Sequence, residues 1–163
     1  ALMLRMRGMS LVEMVITIVI ISVALVGSLR AFSVLTGRSA DVLIQTRSVD
    51  LAQLYFDEIL SRRYDEATGT NGVPAYTGAC RITNDGESRD NYDDVDDYYA
   101  VTNESPDTMD ASLATDYSGY TVSINVVCDD SIGVNTGGAK RIEITIDDPI
   151  GDTSVFSMYK GNY

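Results

Sequence analysis

The chain contains no histidine, no tryptophan, three prolines and two cysteines among 163 residues. Without histidine it lacks the side chain that most often acts as a general base and metal ligand. No Gly-x-Ser-x-Gly elbow is present, and no glycine-rich phosphate cradle follows a strand-like stretch. Paired carboxylates can hydrolyse glycosides, but the acids here cluster in one turn-like block with few aromatics to form a cleft. The sequence does not read as an enzyme. Proline is absent from residues 1–73, which leaves that stretch free to form a long helix.

Positive charge is also scarce. Twelve Lys and Arg stand against 24 Asp and Glu, for a net charge of −12. The deficit is uneven: residues 65–163 carry 19 acids and 5 bases, and residues 1–64 carry 5 acids and 7 bases. A region that acidic repels phosphate backbones, which excludes nucleic acid as an expected partner and favours cations or basic surfaces.

What the chain does have is one long apolar run. From Met9 to Leu29 there are 21 residues, and Glu13 is the only ionisable one. A bilayer-spanning helix needs ~20 residues. The run exceeds the ~7–15 residues of a secretory signal core and lacks an Ala-x-Ala cleavage site, so it reads as a membrane anchor. Arg5 and Arg7 precede it, which keeps the N-terminus cytoplasmic and exports the rest. Outside the membrane, Cys80 and Cys128 are expected in an oxidising compartment, either as one disulfide or as two buried thiols.

The helical pattern continues beyond Arg30. Leu35, Val42, Val49 and Phe56 recur every seven residues, with Ala52 and Ile59 on the same side. One helix from about Met9 to Tyr64 is expected, about 80 Å long if straight. Gly69, Gly72 and Pro74 end it. Three strand-like stretches follow at 120–128, 140–147 and 153–160, with Val122, Ile124 and Val126, and Ile142, Ile144 and Ile146, alternating cleanly. An antiparallel meander burying one face against the amphipathic half of the helix gives an α+β fold. The expected organisation is a membrane helix at 9–29, an amphipathic helix at 30–66 and an acidic head at 67–163.

The stretch "RG" followed by "MSLVEMVITIVIISVALV" resembles the prepilin signature of type IV pilins and type II secretion pseudopilins. The resemblance implies a pilin fold, a prepilin leader at residues 1–8, cleavage by prepilin peptidase between Gly8 and Met9, and N-methylation of Met9. It implies insertion in the inner membrane with the head in the periplasm, then assembly with other major and minor pilins through an inner-membrane platform. It also gives Glu13 a role in recruitment and register, paired with the Met9 amine of a neighbour. Arg30 stands where many major pilins carry a proline, which leaves Gly27 and Gly37 as the weak points of the helix. Across the remaining chain, "FDEILSRRYDE", "GESRDNYDDVDDYYAV" and "YKGNY" resemble minor pilins of the mannose-sensitive haemagglutinin (MSHA) pilus. A type II secretion pseudopilin, and a membrane-anchored periplasmic Ca²⁺-binding module that never polymerises, stay open as alternatives.

The block "RDNYDDVDDYY" brings Asp93, Asp94, Asp96 and Asp97 together. Clustered carboxylates suit Ca²⁺, the one cofactor such a block suggests, although the glycine and distal glutamate of an EF-hand loop are missing. The other reading is a turn whose Asp side chains cap backbone amides. Tyr92, Tyr98 and Tyr99 would then pack on the sheet, and Arg81 or Arg89 would pair with a carboxylate.

Overall fold

The computed structural model describes residues 10–69, 71–83, 85–133 and 137–162, with the side chains of residues 38–40 left aside. Its contacts divide the chain into two units that meet between Leu43 and Ile44.

In the first unit the backbone is helical from the start of α1, which spans Leu11–Ser61 and extends into the second. The helix runs unbroken through Gly27 and Gly37, the two positions where the sequence suggests weakness. Leu11 through Leu35 carry nearly all of their large apolar side chains exposed. The described residues of this unit form no core, because the apolar side chains surround the helix on every side instead of sharing one stripe.

The second unit holds the core. Strands β1 (Thr121–Asp129), β2 (Ala139–Asp147) and β3 (Thr153–Gly161) form an antiparallel sheet in the order β1-β2-β3. Ile124 pairs with Ile144, which pairs with Phe156, and Val126 pairs with Ile142. Val122, Ile124, Val126, Ile142, Ile144 and Ile146 are all buried. They pack with Leu51, Ala52, Tyr55, Phe56 and Ile59 of the helix. The α+β architecture expected from the pattern is the one observed.

The helical face agrees with the expected one in part: Ala52, Phe56 and Ile59 are buried, but the upper members of the heptad row are not. Val42 is 62% exposed and Val49 is 50% exposed, while Leu51, Tyr55 and Ile59 are fully buried. A seven-residue spacing slips only about 20° per repeat on a straight helix, so Leu35, Val42, Val49 and Phe56 stay on one stripe, but the buried face is turned away from that row and meets it only at Phe56. The buried set follows the 3–4 spacing of a single face.

Two connections hold the rim of the sheet. Between β2 and β3, the Asp148 carboxylate accepts from Ile150 N (3.0 Å) and Asp152 N (2.9 Å), closing a tight turn in which Gly151 takes φ +92°. On the far edge, Glu104 and Val122 exchange two backbone hydrogen bonds of 2.8 Å, so the loop before β1 covers the open side of that strand.

Candidate assembly site

The apolar half of α1 must satisfy its own polar groups if it lies in lipid. It does so. Thr17, Ser22, Ser28 and Thr36 each donate their hydroxyl to the carbonyl four residues back, at 2.6, 2.7, 2.9 and 2.9 Å. Among the described residues, α1 alone is long and apolar enough to cross a membrane. Glu13 lies in its first turn and is exposed. A carboxylate there faces the positive end of the helix dipole, which eases its charge. Gly8 and Met9 lie outside the described residues.

The acidic head is organised by internal ion pairs. Cys80 and Cys128 are joined, with Cα atoms 5.8 Å apart, tying the loop after the helix to β1. Lys140, fully buried on β2, pairs with Asp96, donates to the Tyr64 carbonyl (2.5 Å) and sits 4.4 Å from the centre of the Tyr64 ring. Lys160 of β3 donates to the Leu60 carbonyl at 2.7 Å. The last turn of α1 contains no basic residue of its own, and Lys160 from the sheet supplies positive charge to its C-terminal carbonyl at Leu60.

In the acidic block, the Asp94 carboxylate accepts from Asp96 N (2.6 Å) and Asp97 N (3.3 Å). Asp97 accepts from Asp93 N (2.9 Å) and Asp94 N (3.1 Å). Asp96 also accepts from Thr83 N at 3.1 Å, and Asp93 pairs with Arg63. The block therefore ties its own backbone together and joins it to the loop after the disulfide and to the end of the helix. Burial, with the nearby Asp96 and Asp97 charges, raises the Asp94 carboxyl to about 7, although amide and Lys140 contacts oppose this. A different group of carboxylates, Asp85, Glu87 and Asp97, brings its oxygens within 4.8 Å of one another.

Arg81 and Arg89 do not serve the block as expected. Arg81 lies 3.6 Å from Asp65. Arg89 forms a two-pronged contact with Glu58, at 2.7 Å on each oxygen, and reaches Glu104 at 3.1 Å. Tyr98 and Tyr55 extend this network through hydroxyl bonds to Glu58 (2.9 Å) and Glu104 (2.8 Å). Burial acts to raise the Glu58 carboxyl, but Arg89, Tyr98 and Arg62 outweigh it and hold the group below its usual range. Of the three tyrosines, Tyr98 is buried and Tyr92 packs partly on the core, whereas Tyr99 is 51% exposed. Lys140 and Arg63 are the partners of the block that the sequence pattern did not name. Lys140 had a visible signal: it falls in phase with Ile142, Ile144 and Ile146, so the strand alternation turns it inward.

Residues 3–29 match the family model for the prokaryotic N-terminal methylation motif. That match covers the Gly8–Met9 junction, Glu13 and the whole apolar run from Met9 to Leu29. The motif supports a type IV pilin-like or pseudopilin protein, of a family that is structural. It implies processing by prepilin peptidase and assembly with other pilins, and it fits a membrane-anchored chain that reaches the surface by assembly. No curated protein and no solved structure gives a significant match to the chain.

Proposed function

We propose that the chain is a minor pilin of an MSHA-like type IV pilus, of the D-type subunit, incorporated through its N-terminal helix. The observation that carries the pilin-like part of this reading is a coincidence of features on one segment, and the MSHA part rests on the resemblance of "FDEILSRRYDE", "GESRDNYDDVDDYYAV" and "YKGNY". The methylation motif, the exposed apolar helix with its hydroxyls bonded to its own carbonyls, and its single acid all fall between residues 3 and 36. Before assembly, the helix sits in the inner membrane with the disulfide-tied head in the periplasm. Cleavage between Gly8 and Met9 exposes an α-amine, which is then methylated. Glu13 of an incoming subunit pairs with the Met9 amine of its neighbour.

An intramembrane acid costs ~2.5–3.5 kcal/mol at the bilayer centre and less toward its edge. Pairing offsets that cost only when the two groups align, and this fixes axial register. Glu13→Leu should leave processing and membrane insertion intact and abolish incorporation into sheared filaments. Normal incorporation of that variant contradicts the role given to Glu13. The motif favours a type II secretion pseudopilus equally; recovery of the protein in the sheared surface fraction, not the periplasmic one, separates the two.

A further inference from the structure

The Lys140 side chain is fully buried, and its ammonium contacts the Asp96 carboxylate, itself buried. An amine and a carboxyl group held together away from water have two fates. They persist as ions, or they lose water and become an amide. Reactants fixed in contact reach effective molarities of about 10⁵–10⁸ M, which opposes the tendency of bulk water to keep such groups apart.

The surroundings of this pair are those that condensation needs. Each oxygen of Asp96 has its own partner: Oδ1 meets the Lys140 ammonium, and Oδ2 accepts from Thr83 N at 3.1 Å. A backbone N–H at Oδ2 is placed to hold the charge that develops there when an amine adds to Cγ. A second buried carboxylate, Asp65, brings Oδ2 to 4.0 Å from Lys140 Nζ, close enough to take a proton as the nitrogen moves onto the carbon. Burial raises the Asp96 carboxyl toward its protonated form, although Lys140 and the Thr83 amide oppose it. Beside the pair lies a cavity of about 110 Å³, with Asp65, Thr83, Asp94 and Asp96 among its lining residues. It has room for the water that leaves.

The product leaves no polar group orphaned. The amide nitrogen keeps one hydrogen for the Tyr64 carbonyl, which the ammonium already meets at 2.5 Å, and the amide oxygen keeps the Thr83 N–H. Asp65 retains Arg81 at 3.6 Å and Ala67 N at 3.0 Å. Two buried charges disappear.

We propose that Lys140 and Asp96 condense in the folded head to an intramolecular amide cross-link, with Asp65 as the proton relay. One ammonium proton moves to Asp96 Oδ1, and the freed Nζ lone pair bonds to Cγ while Oδ2 takes the charge against Thr83 N–H. Asp65 accepts a second proton from Nζ and returns it to Oδ1. The Cγ–Oδ1 bond breaks, Oδ1 departs as water, and the third proton stays on the amide nitrogen. Asp65 is regenerated, and no oxidant or activating group is consumed. Freshly folded chain holds the ion pair, and the amide accumulates afterwards. The link joins the acidic block to β2 across 44 residues and, unlike Cys80–Cys128, resists reductant. The step belongs to the head and holds whether or not the chain assembles as a pilin.

The test is mass spectrometry of the full chain, kept folded in detergent micelles for a week and then reduced and denatured. A species lighter by one water molecule is expected, and digestion should yield a branched peptide joining Lys140 to Asp96. The Asp85–Gly86 step also loses water when it closes to a cyclic imide, so the branch and not the mass alone assigns the bond. Chain held in denaturant for the same week should form no branched peptide, because the two groups are then apart. Lys140→Arg, which keeps the charge and removes the nucleophile, should lose the water-deficient species that carries the branch. Asp65→Asn should slow its accumulation about a hundredfold, as loss of a proton relay requires. No branched peptide in the folded parent chain, or equal amounts in folded and denatured chain, overturns the proposal. An unchanged rate in Asp65→Asn overturns the relay.

Discussion

Lys140 and Asp96 form an ion pair inside the head, where Lys140 is fully buried and Asp96 is 2% exposed. The pair joins β2 to the acidic block, and the same ammonium holds the Tyr64 carbonyl beyond the helix. One contact thus fastens sheet, block and helix end together. Removing one member of such a pair strands a charge, which costs about 3–5 kcal/mol. Lys140→Met should lose that much in denaturant unfolding. Adding Asp96→Asn should recover a substantial part of it, because the stranded charge is then removed too.

Asp94 gives the head a pH dependence of unusual sign. Its carboxyl is raised to about 7 by burial and neighbouring Asp charges, against an unfolded value near 3.8. The native state therefore holds the proton longer than the unfolded chain does, and this group's contribution to stability falls as pH rises from about 4 to about 7. Asp94→Asn keeps the oxygen that accepts from Asp96 N and Asp97 N and removes the charge. It should match the parent near pH 4 and exceed it by at least about 1 kcal/mol at pH 8. Melting curves at the two pH values measure the difference; equal effects at both contradict the raised carboxyl.

The Cys80–Cys128 bond closes a loop with a sequence separation of 48. Replacing both cysteines with serine should lower stability by about 3–4 kcal/mol, read from denaturant unfolding as a lower midpoint with a slope equal to or steeper than the parent's, because the unfolded chain is no longer held compact.

The four Asp carboxylates of the block are engaged by amides, Arg63 and Lys140. Millimolar Ca²⁺ should therefore leave the melting temperature unchanged; a saturable rise that survives Glu87→Gln would instead assign a metal to these groups, and one lost in that variant would assign it to Asp85, Glu87 and Asp97.

How much of the structure is legible in the sequence depends on range. The strands are visible because alternation is a local property, and Ile142, Ile144 and Ile146 announce their face within five residues. The helix is visible from its uninterrupted apolar run. Its buried face is visible only in part: Ala52, Phe56 and Ile59 lie on it as the pattern suggests, whereas Val42 and Val49 are exposed and Leu51 and Tyr55 take their place. The partners of the acidic block are hidden for another reason. Lys140 is 44 residues from Asp96, and nothing in the spacing of either residue names the other. Arg89 is expected at the block and instead grips Glu58, 31 residues upstream, because the helix presents a carboxylate where the fork fits. Glu13 is legible throughout, since a lone acid in a run of 21 residues stands out without any tertiary information.

The most direct measurement is mass spectrometry of the N-terminus of protein extracted from the membranes of wild-type cells. The expected product begins at Met9 and carries one added methyl group on its α-amine. A product that retains Arg7 and Gly8, in cells with active prepilin peptidase, contradicts the processing step and leaves Glu13 without the ammonium it is proposed to meet.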